Sequence, residues 1–283
     1  MKADVGAPAF SREELLVLRD QVERIAREIA EREILPRFLK VSGRVKQDGS
    51  LFSDADIAAQ DALMTGLSRV KMLPVIGEEM SEGEQRVSWA RGLTEGVWVL
   101  DPIDGSTNFL AGLPQFAVSI ALMQGGVPVL GASWLPILRE MYSAVRGCGV
   151  WINGRPVARP AFAKKEMADV VAAIDFRRLP PGLALRLLRD APIYSQRSFG
   201  SSVLDWCYLA AGRLDVITHG GECLWDYAAG QLMTEEMGGS VSVFGGDVSA
   251  DPPWRRSVIA ALNPRIFQEW KDWLNVELQK EFP

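Results

Sequence analysis

At Gly96 the chain changes period, and that change limits the folds open to it more than any other feature. Upstream, Ser11 and Glu14 have capping-box spacing, and Leu15, Leu18, Val22, Ile25, Ala26 and Ile29 recur at helical intervals up to Pro36. A polar, Gly-containing segment, SGRVKQDGS, separates this amphipathic helix from a second one starting near Ser53. The apolar positions of the second helix, Ile57, Leu63, Leu67 and Val70, keep the period less strictly. From Gly96 onward GVWVL, FAVSIALM, VPVLGASW and MYSAV are apolar, β-branched runs divided by Gly, Pro and charged residues, which predicts short strands. ADVVAAI and LDVITH predict further strands, and residues 201–211, 227–237 and 264–280 predict helices. Two helices, then strands, then strands mixed with helices favour a layered α/β or α+β architecture over a simple βαβ repeat.

The chain has 283 residues, enough to bury a sizeable core, and no Pro/Ser-rich linker splits it. It therefore reads as one domain over 1–283, with two subdomains, about 1–150 and 151–283, as a finer division. With 48% hydrophobic and 24% charged residues and no repeat, disordered, fibrous and solenoid classes are excluded. The net charge of −5 offers no basic footprint for nucleic acid or an anionic membrane. The first ten residues, MKADVGAPAF, lack the apolar core of a signal peptide, and no run of about 18 apolar residues is present to span a membrane. A cytoplasmic location is expected. Cys148, Cys207 and Cys223 are widely spaced with no CxxC pair, so each is expected to be a small buried apolar residue. The single histidine, His219, rules out His-rich metal sites and leaves proton transfer to carboxylates, hydroxyls and metal-bound water.

The carboxylates gather in four places: Asp54 and Asp56 in SDAD, Glu78 and Glu79 in IGEEM, Asp101 and Asp104 in LDPIDGS, and Asp226 in LWDYAAG. Hard cations such as Mg²⁺ take oxygen ligands, and a catalytic site leaves positions for water and phosphate. Each cluster also has a structural reading. Asp56 suits the third position of a helix begun at Ser53, the Glu78–Glu79 pair suits a solvated turn, and Asp226 suits a helix cap after Trp225. In LDPIDGS, a strand of residues 97–100 brings Asp101 to its end. The Pro102 turn then folds Asp104 back within a metal's reach, with the Ile103 carbonyl between them. Gly105 and Ser106 open a helix whose free amides suit an anion. A purely structural turn is the alternative there.

The motifs GEE at 77–79, WVLDPIDGSTNF at 98–109 and LWDYAAG at 224–230, in this order, resemble the signatures of the inositol monophosphatase family of Mg²⁺-dependent, lithium-sensitive phosphatases. The resemblance extends to FSDADIAAQ at 52–60, GCGVWINGRPV at 147–157 and GSSVLDWCYLAAGRLDV at 200–216. It implies an αβαβα sandwich and a homodimer with two or three Mg²⁺ ions per site, acting on a small phosphate monoester. Inositol monophosphate is the default substrate. Fructose 1,6-bisphosphate, histidinol phosphate, adenosine 3′,5′-bisphosphate and a non-catalytic regulatory role are the alternatives. It further implies Glu78, Asp101, the Ile103 carbonyl, Asp104 and Asp226 as metal ligands, with Glu78, Asp56 and Ser106 serving catalysis. Asp104 and Asp226 would also touch substrate, Gly105 and Ser106 would hold the phosphate, and Arg197, Gly200 and Ser201 would line the alcohol pocket. Where the family usually carries a hydroxyl-binding Glu, seven residues before Asp226, this chain has His219. That residue is expected either to bind a substrate hydroxyl or to sit in a differently shaped loop.

Overall fold

Alternation along single strands builds the layers. Val97 and Val99 enter one apolar cluster while Trp98 and Leu100 enter another; Ala121 and Met123 share the first, Ile120 and Leu122 the second. A strand that is apolar on both faces must be covered on both faces. The chain is a computed structural model that describes residues 10–40, 43–45, 51–161, 165–244 and 254–281. The first nine residues, on which the leader reading rests, and Ser42 and 46–50 of the polar segment lie outside the described residues.

Among the described residues two large sheets form. The seven-stranded sheet runs in chain order: Val75–Gly77, Val97–Asp104, Ala117–Gln124, Val127–Leu135, Glu140–Val145, Gly149–Ile152 and Arg155–Val157. Its first pair is parallel and the rest antiparallel. The five-stranded sheet has the order Ser195–Arg197, Val171–Asp175, Val216–Cys223, Arg255–Ala261, Ser240–Val243, its first two pairs parallel and its last two antiparallel.

Helices Ser202–Ala210 and Leu224–Glu236 lie between the sheets, sharing one cluster with Val99 and Ala121 on one side and Ala173, Ile217 and Ala260 on the other. Helices Arg12–Ile29 and Asp54–Val70 cover the outer face of the larger sheet. Pro181–Asp190 and Pro264–Glu281 cover the smaller sheet through Leu183, Leu187, Ile266 and Trp270. The order is αβαβα, as expected. The two inner helices approach so closely that a Cβ on Gly230 would sit 2.3 Å from Trp206 Cβ, so only glycine fits there.

Ser11 and Glu14 form the expected capping box, and after Ile29 the helix widens into a π-turn over Ala30–Ile34. In the second helix the inward stripe is Ala55, Ala59, Leu63 and Leu67, at strict four-residue spacing. This turns Ile57 outward at 41% exposure, which explains the imperfect period. The acidic stretch after Glu79 is a helix, Glu82–Glu95, begun by a second capping box of Ser81 and Glu84. Cys207 and Cys223 are buried, but Cys148 is only half-buried, beside the Gly149–Ile152 strand near the sheet's edge.

Candidate metal and phosphate site

The Val97–Asp104 strand carries the site because its pairing slips once. Asp101 pairs with Ser119 and Asp104 with Ala117, so three residues on one strand span two on the other. Residues three apart on a regular strand face opposite ways; the one-residue bulge returns Asp104 to the face of Asp101. The Ile103 N–H then donates to Asp101 Oδ1 at 3.0 Å. Directly afterwards Gly105 adopts φ +89°, a left-handed conformation in which a Cβ would lie 2.9 Å from the Gln115 carbonyl, and the helix Ser106–Ala111 begins.

The third carboxylate arrives from the other half of the chain. Helix Leu224–Glu236 starts three residues earlier than its pattern suggests, so Asp226 stands in its first turn. Its Oδ2 accepts the Cys223 N–H at 2.9 Å, which makes it part of a capping box and not a cap after Trp225. Ligand oxygens of Asp101, Asp104 and Asp226 all lie within 4.8 Å of one another, and all three residues are buried. They line a cleft of about 490 Å³ together with Glu78, Gly105 and Ser106.

These charges repel. Burial raises the Asp101 carboxyl well above the usual carboxylate range, and Glu78, Asp104 and Asp226 raise it further. Burial likewise lifts Asp226, with Asp104 next. Asp104 is pushed up to about 6 by burial, less far because Ser201 Oγ and the Val203 N–H, at 2.8 Å, donate to its Oδ2. Arg178 Nη1 lies 3.4 Å from Asp226 Oδ2. One half-exposed guanidinium does not balance four carboxylates, and an all-oxygen cluster of this kind fits a hard divalent cation.

Asp56 shows both of its readings at once. Its Oδ2 accepts the Ser53 N–H at 2.7 Å and caps the helix, while its Oδ1 stands 2.9 Å from Ser106 Oγ. Ser106 Oγ is equally 2.9 Å from the Ile103 carbonyl, and its single proton serves one acceptor at a time. Glu78 follows the short Val75–Gly77 strand, its N–H donating to Leu100 O at 3.2 Å. Asn108 Nδ2 donates to the Phe199 carbonyl at 2.7 Å and thereby fixes the Gly200–Ser201 turn against the cleft.

Of the expected pocket residues, Arg197 stands outside the cleft and His219 on its border with both ring nitrogens engaged. Arg197 is exposed, its Nη1 bound to Ser195 Oγ at 2.6 Å and Gln196 O at 2.8 Å, and it does not line the cleft; Arg177 and Arg178 do. His219 borders the cleft, but inside the Val216–Cys223 strand and not in a loop, at 1% exposure. Its Nε2 lies 3.0 Å from Asp205 Oδ2 and its Nδ1 contacts Glu222 Oε1, so neither ring nitrogen is left for a hydroxyl. Burial opposes its charge, yet Glu222 and Asp205 together hold the ring above its ordinary pKa, as an imidazolium. Asp205 and Glu222 escaped the sequence reading. Their available signal was a carboxylate inside the apolar run VLDWCYLAA and another inside a predicted strand extension.

The profile of the inositol monophosphatase family matches residues 11–280. The chain belongs to that family. Members are metal-dependent phosphoric monoester hydrolases that act on small phosphorylated substrates. The chain is 36% identical over 208 residues to an inositol-1-monophosphatase of Mesorhizobium japonicum, covering 70% of this chain and 74% of that one. It is 36% identical over 190 residues to the Nus factor SuhB of Pasteurella multocida, covering 62% and 70%. The solved extragenic suppressor protein SuhB of Bartonella henselae superposes with a TM-score of 0.78 at 30% identity, over 91% of this chain and 98% of that one. No helix among the described residues is long and apolar enough to cross a membrane.

Proposed function

We propose that this chain is an Mg²⁺-dependent phosphatase of small phosphate monoesters, with inositol monophosphate as its default substrate. The observation that carries the reading is the convergence of Asp101, Asp104 and Asp226, buried and mutually repelling, beside the glycine turn that opens the Ser106–Ala111 helix. Glu78, Asp101, the Ile103 carbonyl, Asp104 and Asp226 would hold two or three Mg²⁺ ions. Bound there, the ions would make water a nucleophile at neutral pH and stabilise charge on the phosphoryl and leaving oxygens.

The chain's own groups do the rest. Asp56 draws the Ser106 hydroxyl proton toward itself, which leaves the Ser106 oxygen an acceptor able to orient an attacking water. The Gly105 and Ser106 amides, without intrahelical partners at the start of a helix, receive the phosphate oxygens. Ser201 Oγ and the Val203 N–H keep the Asp104 carboxylate in one orientation. The Gly200–Ser201 turn borders the alcohol side of the cleft. A homodimeric assembly and a cytoplasmic location go with this reading. A non-catalytic regulatory role is not favoured, because every carboxylate of the expected ligand set is present and lines the cleft.

Phosphate release from a panel of inositol, sugar, histidinol and nucleotide phosphates, with and without Mg²⁺, tests the substrate. The reading predicts Mg²⁺-dependent turnover with inositol monophosphate foremost; a clear preference for a bisphosphate or for histidinol phosphate would replace it.

A further inference from the structure

Arg178 touches the carboxylate cluster without serving any of the steps assigned to Asp56, Gly105 and Ser106. It ends the short 3₁₀ turn Phe176–Arg178 after the Val171–Asp175 strand, and Asp175 Oδ1 starts that turn by accepting the Arg177 N–H at 3.1 Å. The neighbouring strand holds the turn in place. Asp175 pairs with His219, and the next residue, Gly220, lies so close to the Arg178 carbonyl that any Cβ there would collide with it. Leu179 then enters the core beside Leu183 and Leu187. Gly220 belongs to the Val216–Cys223 strand and Asp226 to the helix that leaves it, so the Arg178 backbone and the Asp226 carboxylate are anchored to one element. The guanidinium is less constrained. The Arg178 side chain is 33% exposed, and its Nη1 meets Asp226 Oδ2 at 3.4 Å, farther than the 2.9 Å from the Cys223 N–H to the same oxygen.

We propose that Arg178 is a resident counter-cation of the metal site: Asp226 holds it until a divalent ion binds, the ion displaces it, and it then serves a phosphate in the same cleft. This rests on the phosphatase reading and adds a coupling to it, in which metal and phosphate favour each other through one side chain. A guanidinium and a divalent ion on one carboxylate are like charges sharing a ligand, so each weakens the other there. A phosphate removes the conflict, because an arginine binds phosphate oxygens well and Arg178 borders the same cleft as Gly105 and Ser106. By linkage, whatever Arg178 takes from metal affinity in the absence of phosphate it returns when phosphate is present.

The test is calorimetric titration of Mg²⁺ into the metal-stripped full chain, without and with inorganic phosphate, for the wild type, Arg178→Gln, Arg178→Lys and Arg177→Gln. Without phosphate, Arg178→Gln is expected to bind Mg²⁺ about tenfold more tightly than the wild type, within the usual range of coupling between two sites. Arg178→Lys keeps the charge and should lie nearer the wild type. Arg177→Gln removes a charge from the same cleft but outside the Asp226 pair, and should shift the affinity far less. Phosphate should narrow the gap between the wild type and Arg178→Gln, because the displaced guanidinium then has an anion to receive. Equal Mg²⁺ affinity in the wild type and Arg178→Gln would overturn the proposal. So would an equal gain in Arg177→Gln, which would assign the effect to the overall charge of the cleft, or a gap that phosphate leaves unchanged. A wild type that binds no Mg²⁺ would instead overturn the phosphatase reading.

Discussion

Ser106 Oγ stands 2.9 Å from Asp56 Oδ1, across a sequence separation of 50 residues, and joins the turn after the bulged strand to the first turn of the helix begun at Ser53. Asp56 is buried, and burial raises its carboxyl above the ordinary value while Ser53 and Ser106 hold it down. The carboxylate is thus both a helix cap and the acceptor that decides where the Ser106 proton points. Ser106→Ala should lower kcat about 10²-fold, in the range of a lost positioning group. It should cost only about 1 kcal/mol of stability, the worth of one hydrogen bond. Steady-state kinetics and a thermal melt check both; a kcat within about twofold of wild type would remove Ser106 from the reaction.

His219→Glu, which restores the residue type usual in the family, should be strongly destabilising here. It would replace the cation between Asp205 and Glu222 with a third buried carboxylate. Breaking a buried ion pair costs about 3–5 kcal/mol, read as a large fall in Tm. An unchanged Tm would show that the ring does not carry the charge assigned to it.

The same imidazolium sets an alkaline limit. Its folded pKa is raised above the unfolded value of about 6.5, so the folded state binds the proton more tightly. The contribution is whole below that unfolded value and disappears as pH rises through the folded one. Tm measured from neutral to alkaline pH should fall for the wild type and fall less for His219→Gln. Parallel profiles would contradict the assignment.

The layers were legible because strand alternation and helix period are local properties: the faces of Val97–Leu100 and the stripe after Ser11 can be read directly. The bulge was partly legible, since Pro102 between two acids announces a turn, but the register slip that aligns Asp101 with Asp104 depends on Ser119 and Ala117 in the next strand. The helix Glu82–Glu95 was hidden by its polar composition, although Ser81 and Glu84 carried the signal. The short Ser195–Arg197 and Arg155–Val157 strands have too few residues to show alternation. The His219 environment was not legible at all, because Asp205 reaches it from another element, 14 residues away in sequence.

Mg²⁺ binding should weaken in acid. Protons and the cation compete for Asp104, whose carboxyl titrates at about 6 before the ion arrives, and for Asp101 and Asp226, which burial raises further. Thermal shift on titrating Mg²⁺ should give a tighter apparent Kd at pH 8 than at pH 5, with protons released on binding. A Kd independent of pH would place the ion elsewhere.

The most direct measurement is Mg²⁺-dependent phosphate release by Asp104→Asn beside the wild type, with circular dichroism on the same samples. The substitution keeps the shape of the side chain and removes one charge from the centre of the cluster. The account predicts a folded variant whose turnover has fallen at least about 10³-fold and is not restored by excess Mg²⁺. Near-normal turnover in a folded Asp104→Asn would contradict it.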